Sequence, residues 1–206
     1  RVLDGAVYAD EMRKMREEGR IGRVPYEPSK PVYTFWDLGF GDNTAIWFVQ
    51  SVGMQVRVID YYSANRQPLT HYVQMLQSRG YVYAEHGLPH DARHANLGTG
   101  KTVQEMLEEL GLKIRIVPQV GIDNGIQAVR RIMPNVWIDD KCADGIRCLE
   151  YYHYETNKDG GAHAKPAHDW SSHGADAFRY FAVGFEEKTA TPLKIKPPRS
   201  RNAWMG

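Results

Sequence analysis

Cysteine is scarce in this sequence, which has only Cys142 and Cys148 among its 206 residues. Two cysteines in one helix-like stretch provide neither a disulfide framework nor a four-ligand structural zinc site. No apolar run approaches the roughly 18 residues that span a bilayer, and the N-terminus lacks a signal-peptide pattern. The chain is therefore expected to be a soluble protein of a reducing compartment.

An excess of charge of either sign is also missing. Lys and Arg number 26 against 25 Asp and Glu, for a formal net charge of +1. If the partner is nucleic acid, attraction must come from a local basic patch or from bound metal rather than from the overall field.

The chain is long enough for one substantial core, and its composition divides it into three parts. Residues 1–31 are predicted to form a surface helix that ends at Gly19, followed by a proline-bearing linker or strap. Residues 32–187 are predicted to form the folded domain, and residues 188–206 a basic, proline-rich and flexible tail. Because the sequence opens at Arg1 in a helix-like pattern, we expect that it was cut from a longer protein.

Three β-rich runs open the domain and are separated by glycine-bearing turns. They cover Val32–Asp37, Thr44–Gln50 and Val56–Tyr62. This spacing predicts an antiparallel meander. Helical and strand patterns alternate downstream, with strands predicted in YVYAEHGLP, KIRIVP and VWIDD. The order indicates an α/β fold with a mixed sheet covered by helices on its faces.

The stretch ANLGTGKT, residues 95–102, resembles a nucleotide-binding P-loop if alanine replaces the first glycine. A P-loop follows directly on a buried strand, whereas here PHDARHAN lies between the predicted strand and Gly98. The favoured interpretation is a loop and helix N-terminus capped by Thr99 or Thr102. A second interpretation is that its amides and Lys101 contact a DNA phosphate.

Three carboxylates stand at element ends that a mixed sheet could bring together. Asp37 ends the first strand, Asp91 follows the fourth, and Asp176 lies in the last helix pattern. Such a cluster repels itself unless protonation or cations relieve it. Hard carboxylate oxygens suit Mg²⁺ or Mn²⁺, and a pair of such ions is the usual solution for phosphodiester cleavage.

Each of these acids also has an ordinary structural interpretation, as a turn aspartate, an Asx-turn residue or a helix-surface charge. Asp42 belongs to a turn where aspartate is expected anyway. Asp169 could cap the last helix or serve as an accessory ligand. His168 and His173 bracket Asp169, as metal-orienting or as hydrogen-bonded structural histidines.

The segments around these acids carry a family resemblance. EGRIGRVPYEPSKPVYTFWDLGFGDNTAIWFVQ, LPHDARHANLGTGKTVQEML and HDWSSHGADAFRYFA occur in that order. Together they resemble the C-terminal nuclease domain of the large terminase subunit of tailed bacteriophages, from about Gly5 to Phe185. The resemblance implies a ribonuclease H-like fold with a five-stranded mixed sheet.

The same resemblance implies an endonuclease that cuts concatemeric double-stranded DNA with little sequence preference. It places a two-metal site, with Mg²⁺ or Mn²⁺, at Asp37, Asp91 and Asp176, with Asp37 bridging both ions and Asp169 and His173 as accessory candidates. Hydrolysis would leave a 3′-hydroxyl and a 5′-phosphate. Candidate DNA contacts are Arg93, Lys101, Lys194, Lys196, Arg199 and Arg201.

The family's ATPase domain would precede Arg1, so ATPase activity is not expected of this fragment. Portal protein, small terminase subunit and DNA are the implied partners, in the host cell cytoplasm and away from membranes. The alternatives are another ribonuclease H-like nuclease, such as a junction resolvase or a transposase, or a non-catalytic DNA-binding or motor-docking module.

Overall fold

A seven-stranded mixed sheet forms the centre of the computed structural model, which describes residues 5–156 and 165–190. Its strands are β1 (Ile21–Gly22), β2 (Val32–Asp37), β3 (Asn43–Val52), β4 (Gln55–Asn65), β5 (Tyr83–Leu88), β6 (Ile114–Ile116) and β7 (Val136–Asp139). They lie in the order β1-β7-β4-β3-β2-β5-β6. The predicted α/β class with a mixed sheet is confirmed.

The helices are α1 (Ala9–Glu17), α2 (Leu69–Ser78), α3 (Val103–Glu109), α4 (Ile122–Ile132), α5 (Ala143–Tyr151) and α6 (Ser172–Ala190). Short 3₁₀ turns cover His90–Arg93, Met133–Asn135 and Asp140–Cys142. Within the described ranges no helix is both long and apolar enough to cross a membrane.

The predicted meander is confirmed, since β2 pairs antiparallel with β3 and β3 antiparallel with β4. The turn from β2 to β3 depends on Gly39. A Cβ atom built on Gly39 would lie 2.5 Å from the carbonyl oxygen of Asn43 and 2.6 Å from that of Asp42. A side chain at this position would therefore force the turn open.

Both faces of the sheet are buried, which explains why its central strands read as nearly continuous apolar runs. One core lies between the sheet and helices α1, α4, α5 and α6, and includes Phe35, Trp47 and Phe178. The other lies between the sheet and helices α2 and α3, and includes Trp36, Phe48 and Leu76. The molecule thus has three layers, with the sheet in the middle.

The sheet has two more strands than the five expected. Strand β7 pairs in parallel with the first half of β4, and β1 pairs in parallel with β7. The two residues of β1 are too few to show any periodicity in the sequence, so their pairing depends on the partner strand. The amide of Val24 then donates to Asp139 at 2.8 Å, which fastens the following segment to β7.

The ends of the domain also differ from the expected boundaries. Helix α1 packs into the first core through Met12 and Met15, and residues 23–31 form the irregular strap that their prolines predict. At the other end α6 extends to Ala190, so residues 188–190 of the predicted tail are helical. The rest of that tail lies outside the described residues.

Candidate active site

One edge of the sheet collects the ends of several strands. Strands β2 and β5 are parallel neighbours, and β4 runs in the same direction as β2 because both are antiparallel to β3. The carboxyl ends of β2, β4 and β5 therefore meet at this edge, where β3 begins. Ligand sites in α/β sheets commonly lie outside the carboxyl ends of strands.

Asp37 is the last residue of β2 and faces α6. Side chains alternate along a strand, so Asp37 points to the same side as Phe35, which packs in the α6 core, and away from Trp36, which packs in the other. The side chain of Asp37 is only 15% exposed, and its Oδ2 accepts a hydrogen bond from Nδ1 of His173 at 3.1 Å. That bond raises the pKa of His173.

Helix α6 supplies the other half of the site. Asp169 lies in the turn just before this helix, where the amide of Ser171 donates to Asp169 Oδ1 at 2.8 Å. His173 and Asp176 are three residues apart and hence lie on one face of the helix. The indole of Trp47 donates to the carbonyl oxygen of Gly174 at 2.8 Å and holds this first turn against the sheet.

Asp176 is the most strongly perturbed acid at this edge. Burial raises its pKa to about 6, against a smaller opposing effect of Arg179, and the nearby charge of Asp37 adds to the rise. The guanidinium of Arg179, itself buried, lies 3.3 Å from Asp176. Helix α4 leaves room for it with Gly125, where a Cβ atom would lie 2.2 Å from Cδ of Arg179.

Asp91 lies at the same edge but in a different setting. It belongs to the 3₁₀ turn that follows β5, and its side chain is 53% exposed. Its Oδ1 is 2.9 Å from Nε2 of His90, and with His94 the pair forms a group whose ligand atoms lie within 4.8 Å of one another. Asp37, Asp91 and Asp176 do not form such a compact group of three in the described part of the chain.

A second compact group contains Asp42, His168 and His173, again within 4.8 Å of one another. Nε2 of His168 is 3.6 Å from Asp42 Oδ2. The sequence pattern indicates an ordinary turn residue at Asp42, yet the turn places it beside both histidines. Since 126 positions separate Asp42 from His168, no local pattern could have indicated this proximity.

A groove of about 970 Å³ opens beside Asp91. Its walls come from the turn after β2, the end of β4, the start of α2 and the 95–102 loop; they include Gly39, Phe40, Arg66, His94 and Asn96. Arg66 is a basic group that sequence reasoning missed. Its position directly after β4, at the edge where Asp37 ends β2, is the signal that could have revealed it.

The P-loop-like stretch is a self-contained hairpin loop. Ala95 and Thr102 form a bridge, and the amides of Gly98 and Gly100 donate to Asn96. Thr102 caps α3 in a reciprocal capping box with Glu105, which confirms the capping interpretation. With those amides bonded inside the loop, it does not present the open amide cradle of a phosphate site.

The candidate DNA contacts have different surroundings. Arg93 is exposed in the turn that carries Asp91. Lys101 is paired with Glu109 at 2.8 Å, and both side chains are exposed. Lys194, Lys196, Arg199 and Arg201 lie outside the described residues.

Comparison with known proteins gives matches among solved structures alone. No protein-family model and no curated protein matches the chain. A large terminase from a thermophilic bacteriophage superposes with a TM-score of 0.71 at 17% identity, covering 89% of this chain and 46% of that one. The chain thus spans about half of that protein, other crystals of which contain ADP.

Two isolated nuclease domains match over nearly their whole length. That of bacteriophage SPP1, determined with bound manganese, has a TM-score of 0.58 at 18% identity and covers 82% of this chain and 95% of that one. That of thermophilic phage G20c, determined with bound magnesium, has a TM-score of 0.60 at 12% identity and covers 87% and 97%. At such identities the likeness concerns the fold. The chain therefore has the ribonuclease H-like fold of large terminase nuclease domains, as the sequence resemblance implied.

Proposed function

We propose that this chain is an endonuclease module that hydrolyses double-stranded DNA with the help of two divalent cations. The observation that carries the proposal is the placement of Asp37 at the end of β2 and of Asp176 on α6, here called the acidic pair, where burial and the nearby charge of Asp37 raise the pKa of Asp176 to about 6. Acids in a cleft with such perturbed pKa values are candidates for a functional site. The metal-bearing nucleases of the same fold support the assignment.

The donor set fits hard divalent cations. Asp37, Asp91 and Asp176 offer carboxylate oxygens, the ligands preferred by Mg²⁺ and Mn²⁺. Burial and the repulsion from Asp37 both disfavour the charged form of Asp176. Bound cations would offset both effects. When bound, two such ions would polarise the scissile phosphate and favour attack by water.

The wider spacing of Asp91 is compatible with this role. Two ions about 3.5–4 Å apart, each about 2 Å from its oxygens, allow acids on opposite sides to be separated by up to about 8 Å. Asp37 would help to hold the ions from the strand end, with Asp91 on the groove side and Asp176 on the α6 side. Direct contact among all three carboxylates is therefore not required.

Other residues of the chain would hold these acids in place. His173 donates to one oxygen of Asp37 and so fixes the direction of the other oxygen. The buried guanidinium of Arg179 lies beside Asp176 and attracts its carboxylate. Ordering of this kind reduces the cost of assembling a metal site. His173 and Asp169 are proposed as accessory groups, with Asp169 acting through the start of α6.

The groove beside Asp91 is proposed to receive the duplex. Arg66 lines it and Arg93 lies in the turn that carries Asp91, so both are positioned for phosphate contacts. Lys101 would have to leave Glu109 to contribute. Lys194, Lys196, Arg199 and Arg201 remain further candidates. Binding should weaken as salt rises because each phosphate contact releases counterions.

In its wider setting, we propose that the module belongs to a terminase large subunit that cuts concatemeric DNA during viral genome packaging in the host cytoplasm. An ATPase domain in the same full-length chain, the portal protein and the small terminase subunit are the proposed partners. The large terminase that matches over 46% of its length, and that also crystallises with ADP, supports the linked domain.

The test is Asp91→Asn in a plasmid-nicking assay with Mn²⁺. The variant should lose cleavage while its circular dichroism stays unchanged, because Asp91 is exposed and supports no core packing. Calorimetric titration with Mg²⁺ and Mn²⁺ should show weakened binding in parallel. Undiminished cleavage would reject the role of Asp91, and metal binding without cleavage by the wild type would favour a non-catalytic module.

A further inference from the structure

A small cavity of about 190 Å³ opens on the α5 side of the acidic pair. His173 forms part of its wall and also donates to Asp37 at 3.1 Å, so the cavity and the proposed metal site share a side chain. Asn43, the first residue of β3, forms another part. Whatever occupies the cavity therefore lies directly beside the proposed site of cleavage.

Two residues that line the cavity, Trp170 and Arg147, form an exposed platform together with the neighbouring Tyr151. The ring centroids of Trp170 and Tyr151 are 5.5 Å apart, and the guanidinium carbon of Arg147 lies 5.6 Å from the Trp170 ring centroid. After these contacts Trp170 is still 50% exposed. Exposed aromatic rings with an arginine beside them stack well on nucleobases.

The lining of the cavity suits a neutral, hydrogen-bonding occupant. Asp144 and Arg147 carry opposite formal charges, and the imidazole of His173 is hydrogen-bonded to the carboxylate of Asp37, so the lining offers no excess of positive charge for a phosphate. Asn43, Tyr61 and Ser63 provide an amide and two hydroxyls, which can both donate and accept. Nucleobase edges present such a mixture of donors and acceptors.

The volume of the cavity limits which groups can occupy it. Its volume is several times the roughly 30 Å³ of a liquid water molecule, which is enough for a planar ring system but too small for a duplex. Cys148, which lines the cavity, is closely packed on α6, since a Cβ atom on Gly174 would lie 2.7 Å from it. A base can enter only after leaving its stack.

We propose that the platform and cavity form a subsite for one unstacked nucleobase of the strand that flanks the scissile phosphate. The inference rests on the proposed function for its position along the DNA, although base binding itself can be measured without cleavage. Frayed ends, gaps and nicks supply such a base more cheaply than intact duplex, because the stacking has already been lost. The subsite would thus favour DNA with single-stranded character beside the cut.

The test measures binding of a single-stranded oligonucleotide containing 2-aminopurine, and of an intact duplex, in EDTA so that nothing is cleaved. Trp170→Ala should bind the single strand about tenfold more weakly or worse, as expected for loss of one base-stacking contact. Trp170→Phe should retain most of the affinity. The 2-aminopurine fluorescence should be quenched by the wild type and not by Trp170→Ala, and duplex affinity should change less than twofold.

Met54→Ala is the matched control, because Met54 is an exposed apolar residue of the β3–β4 turn outside the cavity. It should leave both affinities unchanged. Equal losses for single strand and duplex in Trp170→Ala would mean a general backbone contact and would overturn the subsite. No loss for either would assign the platform to another partner and would overturn it as well.

Failure of the subsite and failure of the nuclease can be told apart. If Asp91→Asn abolishes cleavage while Trp170→Ala binds single strands normally, the nuclease stands and the subsite falls. If no cleavage is found in the wild type while the Trp170-dependent quenching persists, the base-binding site stands without the nuclease.

Discussion

The acidic edge around Asp37 and the glycine-rich loop at 95–102 teach opposite lessons about sequence motifs. The loop looks like a phosphate site in the sequence, yet its amides bond to Asn96 and Thr102 caps α3. The acids carry no short motif, yet the sheet and α6 bring two of them together in a buried setting. The setting of the acids depends on how distant segments meet in the fold. The polar groups of the loop, in contrast, are hydrogen-bonded within the loop or to the helix that follows it.

The largest effect should come from Asp37→Asn. Under the proposed function Asp37 helps to hold the divalent cations, and loss of such a carboxylate removes several kcal/mol of transition-state stabilisation, so plasmid cleavage with Mn²⁺ should fall at least about a hundredfold. Thermal stability should change little, since the substitution relieves the repulsion with Asp176 but weakens the hydrogen bond from His173. Cleavage within tenfold of the wild type would remove Asp37 from the centre of the site.

Asp176→Asn should increase the stability of the metal-free protein, although it removes a proposed metal ligand. A folded-state pKa of about 6, against 3.8 for the unfolded chain, means that the charge on Asp176 destabilises the folded state at pH 7. Asparagine removes that charge but also the pairing with Arg179, so the metal-free variant should gain about 1–3 kcal/mol. Chemical denaturation in EDTA measures this.

Manganese supplies the control for that variant. It should raise the unfolding midpoint of the wild type and leave Asp176→Asn nearly unchanged, because ligands stabilise only the state that binds them. A variant that is less stable than the wild type in EDTA would contradict the electrostatic account of the edge.

Between pH 6.5 and 4 the stability of the wild type and that of Asp176→Asn should diverge. Burial lowers the pKa of His86 to about 4, so its contribution to stability is complete above pH 6.5 and is lost progressively as the pH falls from 6.5 through 4. The raised pKa of Asp176 acts oppositely, adding stability as the pH falls from about 6 towards 3.8. Asp176→Asn should therefore lose stability more steeply, by up to about 1.4 kcal/mol per pH unit.

A second substitution tests whether His86 causes this pH dependence of stability. His86→Gln retains a polar partner for Thr34, whose hydroxyl lies 2.6 Å from His86 Nδ1. Added to Asp176→Asn, it should flatten the pH dependence. Parallel pH profiles for the wild type and Asp176→Asn would show that Asp176 titrates as in the unfolded chain.

The smallest effect should come from the loop. Thr102→Ala removes the reciprocal capping of α3 and should cost about 1 kcal/mol of stability. Cleavage should change less than twofold, because Thr102 caps the helix and faces no reacting group. A loss of cleavage comparable to that of Asp37→Asn would reverse the comparison and return the loop to the chemistry.

The sequence predicted the parts of this molecule that depend on neighbours along the chain. Strand β2 was predicted with its observed bounds, Val32–Asp37, because its apolar run and the following glycines are local signals. Gly39 and the capping role of Thr102 are local in the same way. Positions such as Asp37 at the end of a strand could be singled out for that reason.

What the sequence did not predict depends on packing between distant segments. The proximity of Asp42 to His168 and the hydrogen bond from His173 to Asp37 follow from how distant loops, strands and helices meet. The two residues of β1 form a strand only because β7 offers them a partner. No pattern within any one of these segments contains that information.

The crowding at Gly39 has a consequence for how this site could be altered. An insertion in the turn after β2 that shifted β3 by one position would turn Trp47 away from α6, since a one-residue slip exchanges the two faces of a strand. Turn length is thus coupled to the seating of His173 and Asp176. Phe40, 74% exposed at the tip, is free of that restriction. Engineering of substrate preference should therefore exchange side chains at the tip and keep the number of residues constant.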